Sequence, residues 1–271
     1  MAENNEGKWG FIDKEGRFVI APSFDDADSF YEGLAPVKIH GKWGYADKKG
    51  KIVIAPQFYY ADAFSDELAR IEVIDPGDTT TIGMGFPRTT RWGFIDRAGR
   101  IVIPPQFERV WDFSEGFAPV EIGGTWGFID KSGQLVIKPR FTDASSFREG
   151  LSRVEINGRC GFIDKTGAFR VPAAFFLCSD FHEGLASVAV TFDNEGYINS
   201  LGEWVIPPNL MNAEDFSEGL AAVVTPGRKT AYIDRSGKII AEGDYSLHWE
   251  FSDGLAPVSP LKNVHDEASQ H

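Results

Sequence analysis

Residues 8–41 read KWGFIDKEGRFVIAPSFDDADSFYEGLAPVKIHG, and the same order of residue types returns along nearly the whole chain. The place of Trp9 is taken again by Trp43, Trp92 and Trp126, then by Cys160, Glu195 and Thr230, at intervals of 34, 49, 34, 34, 35 and 35. The one long interval holds an insertion over 75–90. A second register agrees: Phe24, Phe58, Phe107, Phe141, Phe175, Leu210 and Tyr245 precede by six Phe30, Phe64, Phe113, Phe147, Phe181, Phe216 and Phe251. Self-similarity at this period marks a solenoid, a propeller or an array, because one such unit cannot bury its own faces and must stack on a neighbour.

Within a unit, LAPVKI (34–39), KWGYAD (42–47) and KIVIAP (51–56) are short, β-branched or aromatic, and bounded by turn residues, which predicts strands. The first link is His40-Gly41, Gly123-Gly124 or Asn157-Gly158, suited to a tight hairpin with positive φ. The second is an Asp-x-x-Gly turn, in which the carboxylate caps the turn and Gly supplies a left-handed residue. Each copy is therefore expected to be a three-stranded antiparallel meander. Pro22, Pro56, Pro104, Pro139, Pro172 and Pro207 are expected to end pairing after the third strand, since proline has no N–H to donate. FDDADSF (24–30) fits either a helical turn or a bulged fourth strand.

Phe11 and Ile12, and likewise Ile52, Val53 and Ile54, are apolar at successive positions that face opposite sides of a strand, so each sheet is expected to be covered on both faces by its neighbours. The tryptophans Trp9, Trp43, Trp92 and Trp126 then read as core packing. The chain starts on the second strand of a meander, at Lys8, and ends on a first strand, at 255–261. This predicts an all-β fold of seven meanders closed as a propeller-like ring by pairing of the two ends, with an open superhelix as the alternative. The expected organisation is a single domain over 1–261 and a polar tail over 262–271.

The formal net charge of −13 on 271 residues disfavours a nucleic-acid partner, which needs cationic surface to neutralise phosphates. Apolar residues at 42% place the chain among globular proteins. No apolar run approaches the ~18 residues of a membrane span. The acidic, polar start MAENNEGKWGFID lacks the features of a secretory signal, so a cytoplasmic location with reduced Cys160 and Cys178, both acting as small hydrophobes, is expected.

No catalytic, cofactor or metal constellation emerges. Asp13, Asp47, Asp96, Asp130, Asp164 and Asp234 recur once per copy and could ring a cation, but capping of their own turns is the simpler reading, and Glu32, Glu115, Glu149, Glu183 and Glu218 have the same two readings. Asp25, Asp26 and Asp28 lack the Gly and terminal Glu of a calcium loop, and the five histidines show no HxxxH spacing. The insertion breaks the pattern, and Met84, Phe86 and Arg88 within it are candidate partner-binding residues. Trp111 and Trp249, outside the repeated Trp place, could form an aromatic platform for carbohydrate. The favoured function is a non-catalytic module presenting loops to a protein partner, with carbohydrate or cell-surface ligand binding as the alternative.

The recurring KWGFIDKxGxxVIxPxFxxxxxFxEGLAxVxxxG, at 8–41, 91–124 and 125–158, resembles the WG (KWG) repeat family, found mostly in bacteria. The resemblance implies a β-rich repeat module that mediates interactions, with no catalytic residue in the motif. This chain departs from the pattern at Cys160, Glu195 and Thr230, and at Glu67, where the Gly of EGLA is missing.

Overall fold

The computed structural model describes residues 7–75, 89–243 and 251–257, together with the backbone of 2–3, 81–82, 86–87, 245–247 and 258–260. It divides into two compact units, Met1–Phe141 and Thr142–His271. All regular structure among the described residues is antiparallel β.

In the first unit the first sheet has strands Ala2–Glu3, Trp9–Ile12 and Phe18–Phe24. The second has Asp26–Ala27, Leu34–Ile39, Lys42–Asp47 and Ile52–Phe58, and the third Tyr60–Ala61, Ala69–Ile74, Thr90–Ile95 and Ile101–Phe107. The fourth has Arg109–Val110, Phe117–Ile122, Thr125–Asp130 and Leu135–Phe141. In the second unit the fifth sheet has Asp143–Ala144, Leu151–Ile156, Arg159–Asp164 and Phe169–Phe175. The sixth has Leu177–Cys178, Ala186–Thr191, Asn194–Ile198 and Trp204–Leu210, and the seventh Asn212–Ala213, Leu220–Val224, Thr230–Asp234 and Ile239–Gly243. A hairpin of Tyr245–Leu247 and Val258–Pro260 follows. In the second to seventh sheets the expected meander is thus joined by a fourth strand only two residues long, so that within FDDADSF (24–30) Asp26–Ala27 are strand and no helical turn forms.

The hairpin links behave as read: His40, Gly41, Gly123, Gly124, Asn157 and Gly158 all have positive φ. Proline does not end the third strand, however. Trp43 pairs with Phe58 and Tyr45 with Ile54, so the outer strand carries extra residues in a bulge at Pro56 and pairing resumes beyond it. The bulge explains the glycine of Trp-Gly. A Cβ on Gly44 would lie 2.5 Å from the Ile54 carbonyl oxygen and 2.7 Å from the Pro56 nitrogen. The seventh sheet supplies the control: Ala231 replaces the glycine, Glu242-Gly243 stand in the places of Pro104-Pro105, and the pairs Thr230–Gly243, Ala231–Glu242 and Tyr232–Ala241 run without a bulge.

Neighbouring sheets are joined by aromatic pairs nineteen residues apart in sequence: Phe11–Phe30, Tyr45–Phe64 and Phe94–Phe113 in the first unit, and Phe162–Phe181, Tyr197–Phe216 and Tyr232–Phe251 in the second, at 4.7–5.0 Å between centroids. Tilted and edge-on geometries of this kind add to the burial of the rings themselves. Burial of the central strand on both faces holds in the third and fourth sheets, where Phe94, Ile95, Phe128 and Ile129 are all buried, but not in the first, where Phe11 is buried and Ile12 is 41% exposed. Trp43 and Trp126 are buried, whereas Trp9 and Trp92 are half-exposed.

The outer strand corrects the expectation of two covered faces. Ile54 is 3% exposed because the next sheet's turn, at Gly99, packs on it, whereas Val53 on the other face is 45% exposed. Among the described residues the expected pairing of the two chain ends is not made either: Trp9 pairs with Glu3 and Phe24, and Val258–Pro260 pairs with Tyr245–Leu247.

Candidate functional site

The recurring acidic residues are structural. Asp13 Oδ1 accepts the N–H groups of Glu15 and Arg17 at 3.0 and 2.9 Å, and Asp47, Asp96, Asp130, Asp164 and Asp234 repeat the arrangement. Hydrogen bonds to the charged form hold the Asp13, Asp96, Asp130, Asp164 and Asp234 carboxyls below the ordinary range, aided in Asp13 and Asp96 by Arg17 and Arg100.

The glutamates of the Glu-Gly turns join consecutive repeats. Glu149 accepts from Gly184 N–H at 2.8 Å, Glu183 from Gly219 at 2.9 Å and Glu218 from Gly254 at 2.8 Å. In the first unit Glu32 accepts from Glu67 N–H at 3.3 Å and Asp66 from Gly116 at 2.7 Å. These side chains sit on backbone with φ near +50°, a conformation unfavourable for a residue with a Cβ, and the bond to the next repeat offsets that cost. Among the described residues no group of His, Cys, Asp or Glu is arranged to hold a metal ion.

A row of positions across each sheet surrounds the Trp place, and here the repeats diverge. In the second sheet Lys38 lies across from Trp43 with its ammonium 5.7 Å from the ring centroid. In the third, Arg70 lies between Trp92 and Trp111, 5.5 Å from each, and pairs with Asp62 and, at 2.9 Å, with Asp112. Burial raises the Asp112 carboxyl, against the opposing pull of Arg70. In the fourth, Arg109 makes a two-pronged bond to the buried Glu121 at 2.5 and 2.9 Å, stands 5.3 Å over Trp126, and holds the Glu121 carboxyl below its ordinary range. In the fifth, Arg153 pairs with Asp143 at 2.9 Å. Chain-borne cations thus stand beside this row in four sheets, a feature not extracted from the sequence. The signal was Arg70 and Arg153 at one repeat position, opposite Asp62 and Ser145.

Trp111 is 43% exposed, but its ring stacks on Trp126 at 6.0 Å with 7° between planes and meets Arg70. Trp249 lies outside the described residues. Of the candidate loop, Phe86 begins a two-residue strand paired with Thr81–Ile82, and Asp75 N–H bonds to Thr89 C=O at 3.1 Å, so the insertion extends a hairpin. Met84, Arg88 and the Phe86 side chain lie outside the described residues.

The two cysteines correct the expectation of reduced thiols. Cys160, in the Trp place of the fifth sheet, forms a disulfide with Cys178 on the first strand of the sixth. No local sequence feature announced it, because the bond depends on how adjacent sheets stack.

Among solved structures, the chain is similar to a eukaryotic initiation factor, with 11% identity and a TM-score of 0.56 over 86% of this chain and 70% of that one. It is also similar to BamB from Moraxella catarrhalis (13% identity, 80% of this chain and 75% of that, TM-score 0.44) and to Hsv2p from Kluyveromyces lactis (10%, 78% and 74%, 0.44). The initiation-factor likeness is one of fold alone, and the fold is propeller-like. No curated protein matches the chain in sequence. The profile of the WG containing repeat matches residues 9–43, 43–73, 92–126, 126–160, 161–190, 196–225 and 231–259, and with seven matched copies over most of its length the chain belongs to the WG-repeat family.

Proposed function

We propose that the chain is a non-catalytic binding scaffold whose outer strands and hairpin loops engage a protein partner. The observation that carries this reading is the recurrence of exposed apolar residues at the start of the outer strands. These are Val53, Ile101, Val102, Leu135 and Val136 in the first unit, and Phe169, Trp204, Val205, Ile239 and Ile240 in the second. Apolar surface repeated at equivalent places supports an interaction surface, since scattered single residues would need no explanation. Proline in most of these strands discourages open-ended pairing of like edges, which supports side-chain docking over strand addition. The occupied ring of Trp111 weighs against the carbohydrate alternative. The disulfide favours an oxidising compartment over the cytoplasm, where such a bond would be reduced.

The test compares the full chain with a Val102→Glu, Val136→Glu double variant and with a variant lacking residues 76–88, each checked for unchanged thermal midpoint. Immobilised wild type should retain a defined protein in stoichiometric amount, and at least one variant should lose it. Retention by both variants, or saturable binding to a glycan array, would overturn the proposal.

A further inference from the structure

The repeats provide an internal template for an unfilled site. In the third sheet, Tyr60, Ala61, Asp62, Arg70, Glu72 and Trp92 form one neighbourhood, and its guanidinium is supplied by Arg70, paired with Asp62 and 5.5 Å from the Trp92 ring. In the sixth sheet the register brings Leu177, Cys178, Ser179, Ser187, Ala189 and Glu195 to those six places. They line a cavity of about 250 Å³. Serine stands where the arginine was and a carboxylate where the indole was, so both the volume and the positive charge are missing.

The electrostatics are one-sided. Glu195 is half-buried and has no ion pair among the described residues, while the Ala213 N–H donates to it and Glu214 and Asp193 add negative charge. Desolvation pushes the Glu195 carboxyl up, as it does for a charge lacking a counter-ion. Ser187 donates its hydroxyl to Ser179 at 3.0 Å, and the Ser179 oxygen also takes the Ser187 N–H at 3.1 Å, so the Ser187 hydroxyl oxygen is the acceptor left on this wall. In the second, third, fourth and fifth sheets the chain's own Lys38, Arg70, Arg109 and Arg153 stand beside the corresponding row.

We propose that the sixth-sheet cavity binds a guanidinium or ammonium group from outside the chain, carried either by a small amine or by an arginine or lysine side chain, with Glu195 as its counter-charge. This site is independent of the outer-strand surface, so either reading can fail alone.

The test titrates the full oxidised chain with agmatine and, separately, with acetyl-Gly-Arg-Gly amide, using butylurea as an uncharged control. Saturable binding is expected with a Kd on the order of 1 mM or tighter for at least one cation, weakened about tenfold or more by Glu195→Gln. Tighter binding of agmatine would assign the site to free amines, and tighter binding of the peptide to a partner's side chain. Ser187→Arg puts a guanidinium from the chain where the third sheet has Arg70, opposite Glu195, and should abolish agmatine binding while raising the thermal midpoint. Absence of saturation with both cations, equal affinity in Glu195→Gln, or equal binding of butylurea would overturn the proposal. Should Ser187→Arg fail to fold, Glu195→Gln remains decisive.

Discussion

Replacing Gly127 by alanine adds one methyl group at the most confined point of the repeat. The new Cβ would stand 2.5 Å from the Ile137 carbonyl oxygen, 2.7 Å from the Pro139 nitrogen and 3.0 Å from the Lys138 carbonyl carbon. All three are backbone atoms, so no side-chain rotation relieves the contact. Ordinary contact begins near 3.4 Å, and the outer strand must therefore withdraw by about 0.9 Å. A ladder hydrogen bond stretched by that amount is no longer one. The pairs at risk are Trp126–Phe141 and Phe128–Ile137, which flank the bulge. Losing two bonds at about 1 kcal/mol each, and leaving their buried groups unsatisfied at about 1 kcal/mol or more each, gives a destabilisation of about 3–5 kcal/mol. Urea denaturation followed by tryptophan fluorescence reads this as a fall in midpoint at unchanged slope. The reverse exchange at the equivalent place, Ala231→Gly, meets no bulge and should cost only about 0.5–1 kcal/mol through backbone entropy. A loss below about 1 kcal/mol for Gly127→Ala would refute the assignment of the Trp-Gly glycine to close approach of the bulge.

Two further outcomes are expected. Glu67 holds φ at +73° where other repeats have glycine, and Glu67→Gly should stabilise the chain by about 0.5–1 kcal/mol despite losing an exposed contact to Lys131 at 3.3 Å; a lowered midpoint would contradict this. Reduction of the Cys160–Cys178 bond, which spans 18 residues, should lower stability by about 3 kcal/mol on loop-closure grounds, and the Cys160→Ala, Cys178→Ala variant should be insensitive to dithiothreitol. Identical denaturation curves for the wild type with and without reductant would refute it.

The three main strands, both turn types and the turn-capping role of Asp13 and its equivalents were legible because each depends on neighbours within a few residues. The bulge was not, because a proline that ends pairing and one that bows out of a continuing ladder look alike until Phe58 is seen opposite Trp43. Val53 was assigned to the core since alternation identifies the face a residue occupies but not whether anything lies against that face. The disulfide and the sixth-sheet cavity depend on register and stacking. Glu195 stood out in sequence as a departure from the Trp pattern, but its meaning required Ser187 in the place of Arg70.

A Glu-Gly turn carries a plug, its carboxylate, and a socket, the N–H that donates to the preceding repeat's plug. Glu183 shows both ends of the scheme in the second unit: its carboxylate enters the socket at Gly219 while its neighbour Gly184 receives Glu149. Because the joints described within each unit share one chemistry, a carboxylate on a backbone N–H of the next repeat, excising or duplicating one whole period leaves matching fittings on either side of the splice. Gene-level gain and loss of copies therefore meets little resistance at the seams, and a chain of this construction can change length without inventing a new interface.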